Sequence, residues 1–218
     1  MLPLELPLTP PLAVPLAADQ RLSRPEYLND IVWELSAAGQ PPALSLHTTF
    51  GLRAHWMRLF PRFVTPAAAV QHPQDFAAPA RLTFLSPGFV RLAFAPLPSV
   101  ETVLEIRVPT SQTLAGRFTF KNPSVLPQRF TLEWCAVLSP LPGGQSMAFL
   151  PLQLAPTLQG RSANLAPVCF LAGGAAASQG PYPGLSLSVD LPPGVERSCT
   201  WALAALADPQ ASFDAARA

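Results

Sequence analysis

Charge is what this sequence has least of. Only 12% of its 218 residues are charged, the formal net charge is +1, and Lys121 is the single lysine. The remaining basic residues are arginines scattered along the chain, so no electrostatic footprint for DNA, RNA or anionic lipid is present, and neither a nucleic-acid nor a membrane partner is expected. Cysteine is scarce too. Cys135, Cys169 and Cys199 stand far apart with no Cys-x-x-Cys spacing, and their odd number argues against a disulfide framework. They are expected to be three small buried hydrophobes in a reducing compartment. Uninterrupted hydrophobic runs are missing as well. The apolar start, Met1 to Ala18, lacks a basic leader and is broken by Glu5 and five prolines, which fits neither a signal peptide nor a membrane helix. It is expected to form an extended arm, and a cytoplasmic location is the default.

What the chain has in excess is proline, 28 residues of it, in a sequence that is 49% hydrophobic. Proline is excluded from helix interiors and central strand positions but suits edges and turns. Short strands joined by rigid loops are therefore expected. Ile31, Trp33 and Leu35 alternate with Val32 and Glu34. The turn Ala38 to Pro42 leads to a second strand with Leu44, Leu46 and Thr48 on one face, and Gly51 breaks that run. Leu52, Ala54 and Trp56 then read as one face, with Arg53 and His55 opposite. A three-strand meander over residues 31 to 64 follows.

Residues 65 to 80 read as an irregular loop. Arg81 to Leu85 and Phe89 to Phe94 form a hairpin across Ser86-Pro87-Gly88, and Thr102 to Val108 is a further strand. Patterning is strongest beyond Leu114. Phe130, Leu132, Trp134, Ala136 and Leu138 share one face of a strand from Gln128, and Leu185, Leu187, Val189 and Leu191 alternate with Ser186, Ser188 and Asp190. Pro192-Pro193-Gly194 turns the chain into Arg197 to Leu206. Asp208 or Ser212 would cap a short C-terminal helix. The expected fold is all-β: an antiparallel sandwich, supersandwich or immunoglobulin-like, of about eleven short strands. The expected organisation is an arm at 1–18, a sandwich at 19–207 and the start of a linker or tail at 208–218.

Chemistry is harder to find. Nucleophilic catalysis needs a base near Ser, Cys or Thr, yet there is no GxSxG elbow and the histidines are only His47, His55 and His72. His47 and His55 fall on neighbouring predicted strands, without a third ligand at metal-like spacing, so no metal or cofactor is expected. The phosphate-cradling patterns GxxxxGK and GxGxxG are absent. Glu34, Glu105, Glu133 and Asp190 sit on polar strand faces, each with an arginine as its expected neighbour, which suits solvated faces better than acid/base pairs. Trp33, Trp134 and Trp201 alternate with apolar residues and read as core. Trp56, among Arg53, His55, Arg58 and Arg62, is the tryptophan least clearly buried.

One set of segments carries a resemblance. It comprises Tyr27-Leu28-Asn29-Asp30-Ile31-Val32-Trp33-Glu34-Leu35, Thr48-Thr49-Phe50-Gly51-Leu52-Arg53-Ala54 and Met57 to Phe63. Arg117 to Ser124, the Gly180-Pro181-Tyr182-Pro183 loop, Asp190 to Gly194 and Trp201-Ala202-Leu203 complete it. Together these resemble the N-terminal β-sandwich that precedes the (α/α)6 barrel in bacterial glycoside hydrolases of the glycogen-debranching and glucoamylase-like kind. The resemblance implies that the catalytic carboxylates belong to the barrel, so no catalytic residue is carried over. It also implies a linker helix and barrel after Asp208. Its leading expectation is a noncatalytic sandwich domain that packs against such an α/α-barrel catalytic domain and shapes one wall of an oligosaccharide cleft. Arg53, Trp56, Arg58 and Phe60 form the expected docking or sugar-facing strip. A stand-alone carbohydrate-binding module and a self-associating assembly protein remain open beside it.

Overall fold

The computed structural model describes residues 6–7, 13–17, 31–36 and 44–218. The polar connection at 19–30, the Ala38 to Pro42 turn and the Tyr27 to Asp30 part of the resemblance lie outside the described residues. In chain order the strands begin with β1 (Leu6–Pro7), β2 (Ala13–Leu16), β3 (Trp33–Ser36), β4 (Ser45–Thr48) and β5 (Ala54–Val64). After β6 (Ala69–Val70) and a 3-10 turn at Pro73–Asp75 come β7 (Ala78–Ser86), β8 (Phe89–Leu97), β9 (Val100–Thr110) and β10 (Thr113–Lys121). Then follow β11 (Gln128–Pro140), β12 (Gln145–Phe149), β13 (Thr157–Arg161) and β14 (Ala166–Leu171). The last are β15 (Ala176–Ala177), β16 (Gly184–Leu191), β17 (Glu196–Leu206) and one helix, α1 (Pro209–Arg217).

These strands build two antiparallel sheets packed face to face. One has nine strands in the order β1-β7-β8-β9-β10-β17-β14-β13-β12. The other has eight, in the order β15-β16-β11-β5-β4-β3-β2 with β6 attached to β5. The expected sandwich is present, and its strand count exceeds eleven. Two omissions account for part of the excess. Thr157-Leu158-Gln159-Gly160-Arg161 has no clean alternation, yet β13 is held between β12 and β14. The stretch 65–80 is not wholly irregular, since β6, the 3-10 turn and the first residues of β7 occupy much of it. The meander β3-β4-β5 and the β7-β8 hairpin, closed by Ser86 opposite Phe89, form as expected.

The core lies between the sheets and is unusually aromatic. Phe63 contacts Phe76, Phe94, Phe120 and Phe130 with ring centroids 6.0 to 6.4 Å apart. Trp134 of β11 meets Trp201 of β17 across the interface at 4.3 Å, and Phe118 of β10 abuts Trp134 edge-on at 5.4 Å. Such pairs contribute beyond their buried area. A small residue makes this contact fit. A Cβ placed on Gly116 would lie 2.3 Å from the Trp201 ring and 2.7 Å from the Glu105 carbonyl oxygen. Trp33, Trp134 and Trp201 are all buried, as expected.

Helix α1 closes the described chain against the outer face of the nine-stranded sheet. Asp208 is its cap, its side chain accepting from the Ala211 amide at 3.0 Å, and Pro209 supplies the pre-set first turn. Phe213 packs edge-on against Phe170 at 6.0 Å, while Ser212 Oγ accepts from the Leu206 amide at 2.9 Å. No helix among the described residues is long and apolar enough to cross a membrane.

Candidate functional site

Strand β5 organises the outer face of the eight-stranded sheet. Its alternation has a fault at the start. Ser139 pairs with Trp56 and Pro140 with Ala54, so His55 is an extra residue, a bulge that changes which way the preceding residues point. This corrects the expected common face for Leu52, Ala54 and Trp56. Ala54 is buried, Leu52 is 67% exposed in the turn, and Trp56 lies on the outer face at 37% exposure. Beyond the bulge Met57, Leu59 and Phe63 enter the core, while Trp56, Arg58, Phe60 and Arg62 alternate on the outer face.

Three of the four strip residues expected from the sequence therefore line up. The Arg58 guanidinium sits 5.3 Å from the centre of the Trp56 ring, a cation–π contact. Phe60 continues the line but is only 1% exposed, because Tyr182 covers it edge-on at 5.2 Å; any contact it makes with a partner is indirect. Arg53 stands apart. It follows the left-handed residues Phe50, Gly51 and Leu52, its Nε donates to the Phe50 carbonyl at 2.6 Å, and its own carbonyl accepts from Ser162 Oγ at 2.5 Å.

Sheet register adds two neighbours. Glu34 pairs with His47 and His47 with Arg58, which places all three in one row across β3, β4 and β5. His47 Nε2 is 3.0 Å from a Glu34 carboxylate oxygen, both side chains being about one-third exposed. His47 thus engages Glu34 rather than His55. Alternation within each strand located these side chains on polar faces, but only the register brings them beside Arg58 and Trp56. The result is an exposed patch of one aromatic face, one guanidinium, one imidazole and one carboxylate.

The far half of the same face is sealed. Residues 178–182 fold over it, and beneath lies a buried polar network. Arg62 Nη1 donates to Glu133 Oε2, Arg62 Nε donates to Gln71 Oε1 at 2.8 Å, and Ser178 Oγ donates to Glu133 Oε1 at 2.7 Å. The Gly180 amide donates to Ser178 Oγ at 3.0 Å, and a Cβ on Gly180 would come within 2.3 Å of Arg62 Nη1. Glu133 does have the expected arginine neighbour, but it is 5% exposed and not on a solvated face. A buried carboxylate needs such a saturated set of partners.

Two further strand carboxylates are also committed. Glu105 accepts from Arg91 at 2.9 and 2.7 Å on one oxygen and from Arg117 at 3.1 and 2.5 Å on the other. Partial burial pushes its pKa up, but the hydrogen bonds and charges of the two guanidiniums outweigh this and hold it below the ordinary glutamate value. Asp190 accepts from Arg129 at 2.9 Å. Cys135, Cys169 and Cys199 are free and buried, and burial pushes each thiol up to about 12. Among the described residues no three metal-ligating side chains come together.

The chain matches no protein-family model and no curated protein sequence. Its fold does match solved structures. A bacterial glucoamylase complexed with acarbose aligns at a TM-score of 0.61 and 8% identity, over 99% of this chain and 37% of its own. A protein from the human microbiome described as a kojibiose phosphorylase aligns at 0.52 and 11% identity, over 94% of this chain and 28% of its own. An Escherichia coli K12 protein described as an aldose 1-epimerase aligns at only 0.48, with 10% identity, too low to equate the folds. At these identities the likeness is one of fold. The chain shares its β-sandwich with part of two carbohydrate-active enzymes and spans less than two-fifths of the length of either.

Proposed function

We propose that this chain is a noncatalytic β-sandwich domain of a carbohydrate-active enzyme, supporting a glycosidase catalytic domain of the α/α-barrel kind. The observation that carries this reading is the fold match to the glucoamylase, which takes in 99% of this chain but 37% of that enzyme. The state of four strand carboxylates supports it, since Glu105, Glu133 and Asp190 are each bound by arginine and Glu34 by histidine. The contact surface is the exposed patch of Trp56, Arg58, His47 and Glu34, which offers an aromatic face for a pyranose or an apolar partner and polar groups at its border. Arg53 braces the turn at one end of this patch and Phe60 underlies the other.

An independent carbohydrate-binding module is the second reading, favoured by the 37% exposure of Trp56. Calorimetric titration of the chain with α-glucan and β-glucan oligosaccharides separates the two. The supporting-domain reading predicts no saturable binding to the chain alone. Saturable binding that disappears in Trp56→Ala would replace it with the binding module.

A further inference from the structure

The outer face of the nine-stranded sheet holds a feature that the supporting-domain reading does not use. Helix α1 covers β14 and β17 and touches β10, and a cleft of about 520 Å³ lies along this boundary. Alanines 115 and 202 line it together with the Phe170 ring, and Arg107, Arg117 and Arg217 bring positive charge to it from two strands and the helix.

We propose that this cleft binds a small organic oxyanion, with Arg107, Arg117 and Arg217 as the groups that hold its charged end. The charge balance of the cleft favours an anion. Among the described residues Glu105 is the one acid lining the cleft, against three arginines, a formal +2 in a chain whose total is +1. Both oxygens of that carboxylate are already occupied by Arg91 and Arg117. Glu105 therefore orients Arg117 without neutralising the other two cations.

Those two cations are each held against an aromatic ring. The Arg107 guanidinium lies 4.7 Å from the centre of the Phe89 ring, and that of Arg217 lies 5.3 Å from the centre of Phe213. Among the described ion pairs neither arginine meets a carboxylate. Contact with the ring restricts each guanidinium, and such planar forks match phosphate and carboxylate oxygens. Concave low-dielectric walls strengthen their combined field. The apolar lining asks for a ligand with a carbon body rather than a bare ion.

Glycerol phosphate is a suitable probe, with glycerol as the neutral control and inorganic phosphate as a competitor. Titration followed by calorimetry should show saturable binding of glycerol phosphate, weakened by added salt and displaced by phosphate. Arg107→Gln and Arg217→Gln should each lower the affinity about tenfold, the loss of one charge-assisted donor group. Arg129→Gln, on the other sheet, should leave it unchanged. All three side chains are exposed, and unchanged melting temperatures would establish that the variants fold. Absence of saturable binding at millimolar probe, or equal affinity in the wild type, Arg107→Gln and Arg217→Gln, would overturn the proposal. This test is independent of oligosaccharide binding and of glycoside turnover.

Discussion

Trp134, Glu133 and Cys135 are consecutive residues of β11, yet they answer to three different physical demands. Trp134 points inward and packs tilted against Trp201, where the ring replaces many water contacts with protein ones. Glu133 points outward and survives burial only through Arg62 and Ser178. Removing one partner, by Arg62→Met or Glu133→Gln, should cost about 3–5 kcal/mol, whereas Arg62→Met with Glu133→Leu should cost far less than the two together. Urea unfolding of the four proteins measures this, and additive losses would contradict it. Cys135 is also buried, and with pKa values of about 12 none of the three thiols is ionised to a useful degree at pH 8. A disulfide reagent should therefore leave the folded protein unmodified and titrate all three cysteines only after denaturation. Rapid modification of any cysteine in the folded state would refute that.

At the scale of elements, β8, β9 and β10 are bound on their outer face by a ladder of Arg91, Glu105 and Arg117 in direct register. Because the folded Glu105 pKa is depressed, its contribution to stability is present above the unfolded glutamate value, about 4.3, and is lost as pH falls through the lower folded value. The gap in urea midpoint between the wild type and Glu105→Gln should hold from pH 7 to about pH 5 and close on further acidification. A gap that persists unchanged to the acid limit would contradict the ladder. The strands themselves were largely legible. Period-2 runs at Phe130 to Leu138 and Leu185 to Leu191 define their buried faces without any tertiary knowledge, and the Pro-Gly turns close the hairpins. Three things were not legible. The bulge at His55 depends on a mismatch with β11, β13 is stabilised by neighbours rather than by its own pattern, and the covering of Glu133 depends on a segment some forty residues downstream. The Trp56 patch was half legible for the same reason, since its aromatic and arginine are local but Glu34 and His47 arrive through register.

The whole molecule is a two-sheet sandwich whose outer faces are unequally covered. Residues 178–182 cover part of one face over Arg62 and Glu133, and helix α1 seals part of the other through Phe213. Among the described residues the Trp56 patch and the arginine cleft beside α1 stay open. This division suits a domain that presents surfaces while Glu105 and Glu133 tie its own strands together. Acid/base hydrolysis of a glycoside needs two carboxyl groups free to exchange protons across a sugar. Here Glu105, Glu133 and Asp190 are bound by arginine, and Glu34 by His47. The central claim, that the chain supports chemistry without performing it, is tested most directly by incubating the purified chain with α- and β-linked glucosides and measuring sugar release. The account predicts no release above the uncatalysed rate, with or without added phosphate. Turnover that falls when Glu34, Glu105, Glu133 or Asp190 is changed to its amide would contradict it.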